Sequence, residues 1–317
     1  MPSGQSSGTF FIMRNQPFDK PGRFYKGNIH MHSTNSDGLK SPSEAVGAYR
    51  ERGYDFVALT DHFMERFGFP ISDTTSYRTD DFTTLFGAEL HGEGMRNGEL
   101  WHIVALGLPL DFPGRGPNEN GPEIAARATE AGAFVVIAHP HWNGVTQADA
   151  LKIADFDAIE IHNEGHTNDS DRGNGWMLAD VLATSGYRFS VTAADDAHFK
   201  TDRPDTFGGW VHVKAESLDP SHLLAALKAG HYYASTGPQI HDVSFTESEV
   251  VVSCDPVTAI FANGRGSIKL FKRGDGITEA RFPIGPYANA FCRIEILRAD
   301  GKKAWTSPLW LDEINLG

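Results

Sequence analysis

The chain has 317 residues, 40% hydrophobic and 22% charged, an ordinary globular composition. It supports one large domain, or a large and a small one, without disulfide or metal staples. Its formal net charge of −13 argues against binding duplex nucleic acid or anionic membranes, where lysine and arginine supply the attraction.

The opening run MPSGQSSGTFFIMRNQ has no basic segment followed by a sustained apolar one. No stretch approaches the ~20 apolar residues of a membrane span. Two cysteines, Cys254 and Cys292, are too few for a secreted disulfide framework. A soluble cytoplasmic protein is the expectation.

The first strand is FYKGNIHMH. Alternation along it puts Ile29 and Met31 on one face and Asn28, His30 and His32 on the other. SPSEAVGAYRERG reads as a helix: Ser41 caps it, Pro42 suits its first position, Glu44 completes a capping box and Gly53 ends it. DFVALTDH is a buried strand. TTLFGAELH and LWHIVALGL are two more, joined by a polar turn; if they run antiparallel, His102 comes close to Glu89. PEIAARATEAG is a helix, AFVVIAHPH and FDAIEIHN are strands, and WMLADVLATSG is a helix. YRFSVTAADDAH and GWVHVKA are strands, and DPSHLLAALKAG is a helix capped by Asp219.

Strand–helix alternation of this kind predicts an α/β fold with a mainly parallel sheet. With about seven or eight strands, a closed or distorted (β/α) barrel is the leading architecture. After ASTGPQI helical periodicity stops. VSFTESEVVVSC, SIKLFKR and AFCRIEILRADGKKAWTSPLWL read as short antiparallel strands, with a tight turn at Asp300-Gly301. The expected division is an N-terminal extension (1–20), a barrel (21–238) and a small all-β region (239–317).

The 14 histidines are the unusual feature. Polar residues collect at the C-terminal ends of the apolar strands: His30 and His32, Asp61 and His62, Glu89 and His91, His139 and His141, His162, Asp196 and His198. In a parallel barrel those ends form one rim, where chemistry takes place. One such histidine is ordinary. So many ionisable groups on one face are costly unless something pairs them, and divalent cations do so directly. The i, i+2 spacing of His30 and His32 lets both rings chelate one ion, and Glu89 is suited to bridge two.

In order, HMHSTNSDG, LTDH, GAE followed by His102, AHP and DDAH resemble the five motifs of the polymerase and histidinol phosphatase (PHP) family, over about residues 24 to 238. The resemblance implies a distorted (β/α)7, TIM-like barrel with a trinuclear metal centre. It places His30, His32, bridging Glu89 and Asp196 on the first metal. Glu89, His102 and His139 fall on the second, and Asp37, His62 and His198 on the third. GHYYASTGP and the tail are similar to a branch that includes carbamate-ester hydrolases. An amidohydrolase also begins with HxH, but the carboxylated lysine of such sites has no counterpart at the strand ends here.

The implied activity is a metal-dependent phosphoesterase using two to three Zn, Mn or Fe ions and a metal-bridging hydroxide held by Glu89. The ions would make a positive pit in an acidic protein, suited to a phosphorylated small-molecule ester. The alternatives are a metal-dependent hydrolase of carbamate or carboxylic esters, and a non-catalytic metal-binding module. Around the ligands, Asp61, His91, His141 and His162 are candidates for proton transfer or for orienting ligands. Arg96, Arg172, Lys200 and Arg203 are candidates for holding an anionic substrate. A homo-oligomer is compatible with the sequence.

Overall fold

In the computed structural model of the chain, residues 13–14 and 17–312 are described. The strands of the first two thirds are β1 (Met13–Arg14), β2 (Arg23–Asn28), β3 (Phe56–Leu59), β4 (His62–Phe63), β5 (Thr83–Gly92), β6 (Trp101–Leu106), β7 (Phe134–Ile137), β8 (Ala158–Asn163), β9 (Ser190–Ala194), β10 (Trp210–Ala215) and β11 (Tyr232–Ser235). Between them lie helices α1 (Pro42–Glu51), α2 (Gly121–Glu130), α3 (Gln147–Ala150), α4 (Glu164–Ser170), α5 (Trp176–Thr184) and α6 (Pro220–Lys228). The last third is β12 (Ile240–Phe245), β13 (Glu249–Gly264), β14 (Lys269–Pro283), β15 (Phe291–Leu297), β16 (Lys303–Trp305) and β17 (Leu309–Trp310). The fold is mixed α/β, with the 17 strands of the described residues in one connected sheet.

Helix ends follow local chemistry. Ser41 and Glu44 make the reciprocal capping box of α1, and Asp219 caps α6 through the Ser221 amide. Two short helices were not expected from sequence. α4 arises inside a polar loop because the Asn163 side chain accepts from the His166 amide. α3 is started by a Thr146–Asp149 capping box.

β2, β3 and β5 are parallel neighbours, as are β7, β8 and β9. β6 is antiparallel to both β5 and β7, with His91 opposite His102. Just beyond the strand ends the two outer members meet. Met31 bridges Ala197, the His32 amide donates to the Ala197 carbonyl at 2.8 Å, and the Asp196 amide donates to the His30 carbonyl at 2.9 Å. The segments after β2 and β9 are thereby locked side by side.

Apolar residues from β3, β5, β6, β7 and β8 are buried on both faces, as strands covered on both sides require. The last six strands enclose a second core of Val243, Phe245, Val252, Ile260, Ile294 and Ile296. β13 and β14 are 16 and 15 residues long, longer than the sequence reading expected, because register shifts around Ser253–Ala259 let one bent ribbon continue. Trp305 joins the first core, tying the two regions together. Among the described residues no helix is long and apolar enough to cross a membrane.

One buried histidine makes stability respond to acid. His212 on β10 accepts a hydrogen bond from Trp210 Nε1 at 2.9 Å and stacks on Tyr233. Burial, assisted by Lys26, pushes its pKa down to about 3. It stays neutral in the fold while the unfolded chain protonates near pH 6.5, so its contribution is present above 6.5 and is lost as pH falls toward 3. The slope is at most ~1.4 kcal/mol per pH unit. Urea unfolding of wild type and His212→Gln from pH 6.5 to 4.5 should show wild type losing about 2 kcal/mol more than the variant. Equal losses would refute this.

Candidate metal centre

The strand ends and the loops that follow them bring all nine motif residues into one cluster around Glu89, largely buried, with Asp37 exposed at its edge. The Glu89 carboxylate is fully buried at the end of β5. Oε1 lies 2.8 Å from His102 Nδ1 and 3.1 Å from His139 Nε2. His30 Nε2 is 3.7 Å from Oε1 and His32 Nε2 is 3.7 Å from Oε2. Asp196 Oδ1 completes that side, 2.9 Å from His32 Nε2 and 3.4 Å from His30 Nε2. On the outer side, Asp37 Oδ1 is 3.3 Å from both His62 Nε2 and His198 Nε2.

Among the described residues, five overlapping groups of donors could each hold a cation. They are His32–Asp37–His62–His198, His30–His32–Asp196, His30–Glu89–His139, His62–Glu89–His91 and His139–His166–Asp196. The first contains Asp37, His62 and His198, expected on the third metal, and the second contains three of the four residues expected on the first, without Glu89. His102 touches Glu89 but belongs to none of the five groups.

The donor set fits divalent metals on its chemistry. His198 Nδ1 donates to the Asp196 carbonyl at 2.9 Å, so its Nε2 faces Asp37 across a gap that only a cation or a second proton can bridge. His30 Nδ1 donates to Glu160 Oε1 at 3.0 Å, turning Nε2 toward Glu89 and Asp196. His30 Nε2 is buried and has no hydrogen-bond partner, and Glu89 Oε2, equally buried, faces His62 Nδ1 at 2.5 Å and His91 Nε2 at 3.4 Å. Unpartnered buried groups of this kind are costly, and neutral imidazole with carboxylate is the usual ligand set of Zn, Mn and Fe.

The groups perturb one another. Burial opposes charge on Glu89, but His102, His62 and His91 outweigh it and hold the carboxyl well below its ordinary range. Burial likewise opposes charge on His62, yet Glu89 and Asp37 raise it to about 10. Burial dominates at His102, pushing it down to about 3.

Backbone strain accompanies the site. His139 and Asp196 have φ of 25° and 54°, the left-handed region that non-glycine residues occupy at a cost. Asp195 secures the second of these. Its carboxylate accepts from Tyr49 Oη at 2.6 Å and from the amides of Phe207, Gly208 and Gly209, each at 2.8 Å. A Cβ on Gly208 would stand 1.9 Å from the Glu164 carboxyl carbon, so a side chain there would displace Glu164.

Asp61 does not reach the cluster directly. It accepts from the Ser33 amide, Ser33 Oγ and Ser36 Oγ, and so anchors the loop carrying Asp37. His91 Nε2 is 2.8 Å from His62 Nδ1 and 3.4 Å from Glu89 Oε2. Lys200 Nζ donates to the Asp37 carbonyl at 3.0 Å, and Arg203 pairs with Asp169 at 3.1 Å. The structure does not bring His162, His141, Arg96 or Arg172 into the ligand groups. His162 pairs with Glu164 at 2.9 Å and stacks on Trp305. His141 is exposed and lines a separate apolar pocket with Pro140, Val145 and Leu178. Arg96 and Arg172 are exposed.

Sequence reasoning missed Glu160, Asn163, His166 and Trp142. The alternation in AIEIHN is the signal that could have found Glu160, which shares its strand face with His162 only if the strand stays regular. A register shift between Glu160 and His162 separates them, sending Glu160 inward and His162 outward. Trp142 lies flat on His166, 4.4 Å between centroids at 15°, and edge-on to His102 and His139.

No protein-family model matches the chain, and neither does any curated protein. Solved structures do. A two-domain protein from Bacteroides vulgatus containing a predicted PHP-like metal-dependent phosphoesterase matches with a TM-score of 0.52 at 16% identity, covering 93% of this chain and 99% of that one. A putative metal-dependent phosphoesterase from Bifidobacterium adolescentis matches with a TM-score of 0.40 at 17% identity, over 55% and 88% of the two chains. An amidohydrolase from Chromobacterium violaceum matches with 0.39 at 17% identity, over 54% and 87%. The first likeness shows that the chain shares the fold of a PHP-like two-domain protein along nearly its whole length.

Glu160 holds His30 through Oε1 and, through Oε2, accepts from the His139 amide at 2.8 Å and Asn163 Nδ2 at 2.9 Å. Glu160→Gln should leave the circular dichroism spectrum unchanged and weaken metal binding by roughly 10- to 100-fold. Competition with a chromophoric chelator measures this; wild-type affinity in the variant would count against it.

Proposed function

We propose that the chain is a metal-dependent phosphoesterase acting on a small-molecule ester. The observation that carries this is the largely buried cluster in which Asp37, Glu89 and Asp196 meet six imidazoles at 2.5–3.7 Å. The PHP-like fold supports it. We read the ring of β2, β3 and β5–β9, joined through Met31 and Ala197, as a distorted (β/α)7 barrel. Residues 21–238 are then the hydrolase and 239–317 an appended β-rich region. The 1–20 extension lies largely outside the described residues.

In this reading His30, His32, Glu89 and Asp196 hold one ion, Asp37, His62 and His198 another, and Glu89, His102 and His139 a third. Bound ions would lower the pKa of water and polarise the oxygens of the group attacked. The chain's own residues set the geometry. Glu160 and the Asp196 carbonyl orient His30 and His198 by holding their Nδ1 protons. Asp61 fixes the loop that presents Asp37. Lys200, tied to the Asp37 carbonyl, adds positive charge that favours an anionic substrate. The rings of Phe67, stacked on His62, and Trp142 border the cluster and restrict water.

The same centre can act on a carbonyl. The resemblance of GHYYASTGP and the tail to carbamate-ester hydrolases favours that second reading, and the substrate series separates the two.

Metal-loaded protein tested in parallel on phosphomonoesters, phosphodiesters and aryl carbamates should hydrolyse a phosphate ester fastest. Chelation should abolish turnover, and His30→Ala and Glu89→Ala should each lower kcat/KM by at least about 100-fold. Faster carbamate hydrolysis would move the assignment to the second reading. Metal-replete protein inert on the whole panel would overturn both.

A further inference from the structure

We infer that His166 is a metal ligand, binding a divalent cation together with His139 and Asp196. The inference rests on the metal-centre reading above and adds a residue outside all five sequence motifs. His166 lies in the first turn of α4, in a loop whose composition suggests only solvent exposure.

Four contacts define its orientation. Nδ1 faces Asp169, 3.4 Å from Oδ1 and 3.3 Å from Oδ2. Asp169 is in turn paired with Arg203. Nε2 points the other way, 3.3 Å from Asp196 Oδ2. The Trp142 indole fixes the ring plane. His139 Nε2 approaches the same Asp196 oxygen at 3.9 Å, and the three donor atoms lie within 4.8 Å of one another.

The arrangement has the form of a carboxylate–histidine–metal relay. With Nδ1–H directed at Asp169, the Nε2 lone pair confronts a carboxylate oxygen and the His139 nitrogen. A cation between them satisfies all three. Asn163 supports the same geometry from both ends: its Oδ1 accepts from the His166 amide, and its Nδ2 donates to Asp196 Oδ2 at 3.2 Å. His139 thus stands between Glu89 on one side and His166 with Asp196 on the other. His102, which the motif order pairs with His139, lies outside every compact donor group. The cation that His139 holds therefore has His166 within reach as a further donor.

The competing account is an imidazolium paired with both carboxylates and touching no metal. Metal content and affinity separate the two without reference to any substrate. Wild type, His166→Gln and Asp169→Asn are loaded with Mn²⁺ or Zn²⁺, dialysed against graded chelator and analysed by mass spectrometry. Co²⁺-substituted samples are read by visible absorption. His166→Gln, with unchanged circular dichroism, should lose about one equivalent, or bind its weakest ion at least tenfold less tightly. Its Co²⁺ spectrum should change. Asp169→Asn should weaken the same ion by roughly 10- to 100-fold, which keeps the test open if His166→Gln folds poorly.

Wild-type stoichiometry, affinity and Co²⁺ spectrum in both variants would overturn the inference. Failure of wild type to take up metal would overturn it together with the metal-centre reading. Metal uptake that depends on His166 in a protein inert on every ester would uphold it and overturn the hydrolase reading alone.

Discussion

The whole arrangement depends on one buried carboxylate. Glu89 sits at the end of β5 with no measurable exposure, ringed by His30, His32, His62, His91, His102 and His139. An ionised carboxylate in such a place is expensive unless neighbours compensate it. The histidines do so only because strands from opposite sides of the sheet end at the same level. The antiparallel register of β5 and β6 brings in His102. The meeting of the segments after β2 and β9 sets His30 and His32 against Asp196. The topology is what places the compensating groups around Glu89.

Around this core lies a layer of acids that never enter it. Asp61, Asp195, Asp205 and Glu160 are each nearly or fully buried, and each spends its oxygens on positioning. Asp195 gathers the amides of Phe207, Gly208 and Gly209. Asp205 accepts from the amides of His198 and Lys200. Between them they hold a loop in which Asp196, Phe199 and Phe207 all have positive φ. Strain of this order persists only where surrounding contacts over-determine it. These four carboxylates are therefore structural and internal.

What could be read from sequence divides along physical lines. Helices α1, α2, α5 and α6 announced themselves through caps and periodicity, because those signals are local. The nine motif residues were legible because each sits at a strand end or in the loop just beyond one, in a recognisable order. Glu160, Asn163, His166 and Trp142 were not. Glu160 is hidden by a register shift that breaks the alternation of its strand. Asn163 and His166 depend on a two-turn helix that one side-chain cap creates within a polar loop. Trp142 acts through a tight turn closed by its amide and the His139 carbonyl. Each owes its place to a departure from regular geometry, which composition and period do not encode. The same departure misdirects the sequence reading of His162, which rotates outward to Glu164 and Trp305.

The cluster also explains why protons and metals are alternatives at the same atoms. His198 commits Nδ1 to a carbonyl, and His30 commits Nδ1 to Glu160. In each case only Nε2 remains, and it faces a carboxylate. Burial lowers the pKa of both imidazoles, but Asp37 and Asp196 more than reverse this for His198, and Asp196 and Glu160 do so for His30. Without metal, these carboxylates favour a second proton in the gap. A divalent ion must displace it, so metal uptake releases protons and weakens as the solution becomes acidic. A cation gains what a proton cannot, because it engages several donors at once where a proton bridges two. That multiplicity, rather than charge neutralisation alone, is what a group such as His32–Asp37–His62–His198 offers.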